Sequence, residues 1–137
     1  MTADDVVAAA SECLNTPFLH QGRLAGRGLD CAGVIAHVMT RLGLAYEDMR
    51  GYPRTPYERM IEKVMDRQPN MVAVPQSEMT KGDILLMRFT DEPQHLAVHA
   101  GENIIHAYEH VGKCCEHRFA DVWRARVVRV YRIRGLV

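Results

Sequence analysis

Two apolar rhythms divide the chain. In the first half, apolar residues recur at helical spacing: Val34, Ile35, Val38, Met39 and Leu42 make one stripe, with Asp30 able to cap its start and Gly43 to end it. A helix from Thr2 to about Leu14, with Asp4 and Asp5 in its opening turn, is predicted ahead of it. Thr55-Pro56-Tyr57-Glu58 has the form of a capping box and predicts a third helix running to about Asp66. In the second half the pattern changes to β-branched and aromatic runs separated by turn residues, which predict strands over 83–89, 95–100, 103–108 and 126–133. Helices followed by an antiparallel meander define an α+β fold, and the absence of repeats or linker-like stretches predicts a single domain over residues 1–137. The last run, with Arg126, Arg129, Arg132 and Arg134 between apolar residues, reads as an edge strand with one wet face.

Gly101-Glu102 suits a two-residue hairpin turn with glycine first. That turn sets Ala100 opposite Asn103 and Ala97 opposite His106, so His95, Ala97, His106 and Tyr108 share a face and His95 and His106 become diagonal neighbours. One more residue in the loop would send His106 to the other face.

Composition narrows the options. Of 137 residues 47% are hydrophobic and 25% charged, ordinary for one globular unit, and 17 basic against 17 acidic residues leave no net charge to attract nucleic acid or an anionic membrane. The start, MTADDVVAAASECL, lacks the basic n-region of a signal peptide, and no run approaches the ~18 apolar residues that cross a bilayer, so synthesis in the cytoplasm without membrane insertion is expected. The four cysteines (13, 31, 114, 115) do not read as a disulfide framework in a chain expected to be made in the cytoplasm, and adjacent Cys114 and Cys115 cannot bridge each other without strain. Five of the seven histidines crowd into residues 95–117.

Cys31 is where chemistry enters. A free cysteine is most often a small packing residue, but this one opens a helix, where the macrodipole favours a thiolate. A nucleophilic thiol also needs a histidine close in space, and His95 at the start of a predicted strand is a candidate base. His106 could then hold the far nitrogen of His95 as the third member of a triad, with the Cys31 N–H helping to receive an oxyanion. Asp30 reads first as an N-cap and second as a substrate contact. His99 reads either as a cleft residue or as a solvated strand histidine. Cys13 is expected to pack on the first helix, His110 and His117 to lie in loops, and Tyr52, Arg54 and Tyr57 to border a substrate wall or a surface turn.

The segment GLDCAGVIAHVM resembles the Asp-Cys-Ser/Ala-Gly-aliphatic motif of the NlpC-type cell-wall cysteine peptidases, a papain-like family. TPFLHQGR, KGDILLMRF, HLAVHAG and IIHA resemble the family's accompanying segments in the same order, and the likeness extends from about Val6 to Tyr131. The resemblance implies helices packed on an antiparallel sheet and no cofactor or metal. It also implies Cys31 as nucleophile, His95 as base and His106 as orienting residue, acting on peptide bonds of peptidoglycan, often the D-γ-glutamyl to diamino-acid bond. The wording of residues 16–33 is most similar to bacteriophage and prophage members, which implies action at the bacterial cell wall with phage tail proteins as partners. Three positions depart from the pattern: Phe18 replaces a common tyrosine, so that His20 or Gln21 is left to assist near the thiol; Ala32 replaces serine; Lys81 replaces proline.

Two other readings stand beside it. The His/Cys cluster of 95–117 holds capable zinc ligands, which fits a zinc-binding protein or metal-dependent hydrolase, although strand alternation is expected to scatter them over two faces. An inactive structural component of a phage tail is the other. The vicinal Cys114-Cys115 pair has no role legible in the sequence.

Overall fold

A computed structural model describes residues 1–89 and 92–137. Helix α1 (Ala3–Ser11) starts where the sequence predicts, in a reciprocal capping box: Thr2 Oγ1 accepts the Asp5 N–H at 3.3 Å and the Asp5 carboxylate accepts the Thr2 N–H at 2.8 Å. A short hairpin, β1 (Arg23–Leu24) and β2 (Gly28–Leu29), leads into α2 (Cys31–Arg41). The α2 stripe is buried at Val34, Ile35, Val38 and Met39, and each such side chain contributes about 1.5–3 kcal/mol relative to exposure.

The third helix, α3 (Met60–Asp66), starts later than the sequence predicts. Thr55-Pro56-Tyr57-Glu58 forms no capping box. Glu58 and Arg59 take left-handed backbone conformations (φ +55° and +57°), so the helix cannot begin before Met60. Residues 52–56 instead run as a loop over the cleft described below.

Six antiparallel strands form the sheet: β3 (Met71–Val74), β4 (Ile84–Arg88), β5 (Pro93–His99), β6 (Asn103–Tyr108), β7 (Lys113–Arg118) and β8 (Val127–Ile133). Their spatial order is β3-β8-β4-β5-β6-β7, so β4, β5 and β6 run as the expected meander, β7 rather than the C-terminal strand continues it, and β8 returns between β3 and β4. The helices cover one face through Ile84, Leu86, Leu96, Val98, Ile105 and Tyr131. On the other face Leu85, Met87, Ala97, Ile104 and Val130 pack beneath Phe119, with Trp123 of the one-turn α4 (Asp121–Arg124) beside them.

The expectation of an edge strand at the C-terminal end is corrected by this order. Acids from neighbouring segments pair with the arginines of β8, which stay partly exposed. Arg132 donates through Nε and Nη2 to both oxygens of the fully buried Asp83, each at 2.9 Å, and Arg129 Nε meets Asp66 at 3.0 Å. Alternation of charge and apolar residues therefore marks an interior strand here.

β5 and β6 join as predicted. Val98 pairs with Ile105 and His99 with Ile104, the Ala100 N–H donates to the Asn103 carbonyl at 2.8 Å, and Gly101 turns with φ +92°. Continued inward, this register sets His95 and His106 diagonally on one face. β7 has no counterpart in the sequence-predicted elements, and it places His117 on a strand rather than in a loop. Its residues alternate Cys114 into the helix-side core with Cys115 and His117 on the other face, which Lys113, Glu116 and Arg118 disguise as a polar loop.

Candidate active site

The first turn of α2 is set by a dense polar knot. Asp30 Oδ1 accepts the Gly33 N–H and an Arg23 N–H, both at 2.9 Å. Its Oδ2 accepts the Gln21 N–H at 2.8 Å and the Tyr52 hydroxyl. With both oxygens engaged, Asp30 is a helix cap that also ties the helix to Arg23 and the 49–52 loop. Gly33 allows this closeness: a Cβ there would stand 2.2 Å from the Gly22 carbonyl oxygen. Cys31 is thereby fixed at the helix start, half-buried.

Cys31 and His95 line one cleft of about 410 Å³, within the usual size of a ligand site. His20, Tyr52, Arg54, Phe89, Tyr108 and His110 border it. Of these, Phe89 was not legible as a site residue, and Tyr108 only as a sharer of the histidines' sheet face. Tyr57 faces solvent outside it. His20 Nε2 and Gln21 Nε2 both donate to the Tyr52 carbonyl at 3.0 Å, and Gln21 Oε1 accepts the Gly51 N–H at 3.2 Å. Gln21 is thus spent on holding the loop, while His20 keeps one edge toward the cleft.

His95 Nε2 lies 2.6 Å from His106 Nδ1, the pairing that the hairpin register predicts. The nitrogen of His95 left over is Nδ1. His106 has no exposed surface and is enclosed by Tyr108 and Trp123, at ring-centroid distances of 5.2 and 5.0 Å. Its Nε2 meets His117 Nε2 at 2.8 Å. His99 shares this sheet face but neither lines the cleft nor is solvated: it is 5% exposed, packs against Phe119 and accepts the Gly101 N–H at 3.0 Å.

Burial governs the protonation of the group. It pushes the Cys31 thiol up to about 12, helped by the Asp30 carboxylate and opposed by the Leu96 and Ala32 N–H groups. The helix start alone therefore does not yield a resting thiolate, contrary to the simple expectation from sequence. Burial, with the neighbouring His106 and Arg126, holds His95 well below the ordinary 6.5, and burial with His117 brings His106 down to about 3. Burial thus favours the neutral forms of the thiol and of both imidazoles. A buried imidazole with one nitrogen tied and the other free can accept a proton from a thiol.

Among the described residues, one His/Cys group has ligand geometry: atoms of His106, Cys115 and His117 lie within 4.8 Å of one another. The expected scattering over two faces holds for Cys114, which turns into the helix-side core, but Cys115 and His117 alternate onto the face of His106 and Cys115 stands directly opposite it. Cys13 and Cys114 are buried in the core. Among the described residues no helix is long and apolar enough to cross a membrane.

The model of a family described as "NlpC/P60 family" matches residues 15–132. No curated protein sequence matches the chain at a significant level. Among solved structures, an NlpC/P60 family protein from Bacillus cereus superposes with a TM-score of 0.69 at 20% identity, over 95% of this chain and 39% of that one. The NlpC/p60 domain of the peptidoglycan hydrolase SagA gives 0.63 at 20% identity, over 95% of this chain and 97% of that one. The peptidoglycan hydrolase RipB from Mycobacterium tuberculosis gives 0.65 at 16% identity, over 98% and 65%. At such identities the likeness establishes the fold. This chain spans about two fifths of the Bacillus protein and of a Staphylococcus aureus NLP/P60 family protein (39% and 41%).

Proposed function

This chain belongs to the NlpC/P60 family, and on that premise we propose that it is a cysteine peptidase that hydrolyses peptide bonds in peptidoglycan. The observation that carries the reading is the cleft lined by both Cys31 and His95, with His95 Nε2 tied to His106. Cys31 Sγ attacks the scissile carbonyl carbon while His95 Nδ1 takes the thiol proton, so no thiolate has to exist beforehand. The Cys31 N–H, free of an intrahelical acceptor in the first turn, meets the developing oxyanion. Collapse of the intermediate breaks the C–N bond, and His95 returns its proton to the leaving amine. Water, deprotonated by the same nitrogen, then cleaves the thioester and restores the thiol.

The bond we assign is the D-γ-glutamyl to diamino-acid bond of the stem peptide, on the likeness of the motif around Cys31. Arg54 at the cleft border, paired with Glu109 at 3.3 Å, offers a guanidinium to a substrate carboxylate. Delivery to the wall as part of a phage tail is a finer proposal that rests on the wording of residues 16–33 alone.

The test is digestion of purified peptidoglycan followed by mass spectrometry of the released peptides. Fragments ending at D-glutamate, absent with Cys31→Ala, support the reading. Intact stem peptides after prolonged digestion overturn it.

A further inference from the structure

The sheet face that carries His95 and His106 holds a chain of three imidazoles that ends on a carbonyl. His117 Nδ1 lies 3.0 Å from the Arg118 carbonyl oxygen, which can only accept, so this nitrogen bears the proton and Nε2 of the neutral ring is an acceptor. His106 must then donate through Nε2 to His117 at 2.8 Å, which leaves its Nδ1 to accept from His95 Nε2–H at 2.6 Å. With His117 neutral, this carbonyl sets the lone pair of His95 on Nδ1.

Cys115 completes a different constellation from the same parts. It stands opposite His106 in the register of β6 and β7, and its sulfur joins the two histidines within 4.8 Å. We propose that His106 Nε2, His117 Nε2 and Cys115 Sγ bind a zinc-class divalent cation, and that metal bound there switches the cleft off by reversing the tautomer of His95. The second half rests on the peptidase reading above; the first does not.

The donor set suits the ion: two imidazoles and a thiolate are borderline-to-soft ligands, with a fourth position open to water. The outer contacts suit it as well. A ligating histidine usually gives its other N–H to a carbonyl, and His117 Nδ1 already donates to Arg118. A tetrahedral ion with N–metal bonds of about 2.0–2.1 Å holds two nitrogens about 3.3 Å apart, so the rings need part by only about 0.5 Å from 2.8 Å.

The proton balance gives the consequence. The metal takes the lone pair of His106 Nε2, so the proton of that ring moves to Nδ1 and is donated to His95 Nε2. The proton of His95 then moves from Nε2 to Nδ1, the nitrogen that has to accept from the thiol. The only proton released to solvent is that of the Cys115 thiol, which coordination displaces.

The chain's one tryptophan reports on the site, since the Trp123 ring lies 5.0 and 4.9 Å from those of His106 and His117. The experiment titrates Co²⁺ into Cys31→Ala protein, in which the cleft thiol is gone. One equivalent should quench Trp123 fluorescence and raise a thiolate-to-cobalt absorption band. Adding Cys115→Ala should abolish the band and weaken binding by at least the about tenfold that losing even an outer partner costs. No band, or a band that survives without Cys115, overturns the site. The ¹⁵N resonances of His95 in the same Cys31→Ala protein should exchange their protonated and unprotonated character when Zn²⁺ is added; unchanged resonances with metal bound overturn the switch. In activity assays each protein is compared with itself in EDTA. Zn²⁺ should inhibit wild type at concentrations at least about tenfold below those needed for Cys115→Ala. Equal sensitivity, as when Zn²⁺ is caught by Cys31, also overturns the switch. If metal-free wild type cleaves nothing, the peptidase reading has failed, and the cobalt and ¹⁵N results still decide the metal site.

Discussion

His95 Nε2 and His106 Nδ1 stand 2.6 Å apart inside a buried aromatic enclosure, so one imidazole fixes the orientation of the other. His106→Ala should cut kcat about 100-fold or more while KM moves less than about twofold, because the lost contact orients a base rather than binding substrate. His106→Gln, whose amide oxygen can accept from His95, should recover part of kcat. Steady-state kinetics on a stem peptide checks both. A rise in KM at constant kcat would mean that His106 shapes the cleft rather than the base.

Stability should fall in mild acid. His95, His99 and His106 are all held below 6.5 by burial, so between about pH 4 and 6.5 the unfolded chain binds more protons than the folded one. Their contribution is complete above 6.5 and is lost as pH drops. For His106, near 3 in the fold, the loss reaches about 2 kcal/mol at pH 5. The urea midpoint should be lower at pH 5 than at pH 7, and His106→Gln should flatten the difference. Equal midpoints would show that these rings are charged in the fold.

Alkylation reports the resting state of Cys31. With the thiol pushed up to about 12, iodoacetamide should modify Cys31 slowly at pH 7 and progressively faster through the alkaline range. Peptide mapping of the adduct gives the rate at this residue alone. A fast plateau from pH 5 to 8 would reveal a preformed thiolate–imidazolium pair.

Gly33→Ala tests how Cys31 is placed. The added methyl meets the Gly22 carbonyl oxygen at 2.2 Å, so the start of α2 has to retreat. A loss of about 1–3 kcal/mol in stability is expected, with activity falling further than stability explains. Thermal melts and kcat measured side by side check this; full activity would show that the cleft tolerates a displaced Cys31.

Much of the site was legible because it depends on local rules. Asp30 as cap, Cys31 at the helix start and the His95–His106 diagonal each follow from capping chemistry or from a two-residue turn whose register fixes a face. What escaped depends on partners distant in sequence. β8 reads as an edge strand because nothing local says that Asp83 and Asp66 will neutralise its arginines. β7 reads as a loop because its polar members hide the alternation of Cys114, Cys115 and His117. The Thr55–Glu58 capping box is a correct local signal overridden by the left-handed turn at Glu58-Arg59. The shift of the Cys31 thiol was illegible for the same reason: the helix start is a local feature, whereas the burial that outweighs it belongs to the assembled fold.

The central claim, covalent attack by Cys31, is tested most directly by mixing the protein with a purified stem peptide, quenching in acid within a turnover and mapping the acylated residue by mass spectrometry. The account predicts a thioester on the peptide that contains Cys31, none in Cys31→Ala, and hydrolysis lost with it. Hydrolysis that persists undiminished in Cys31→Ala would contradict it.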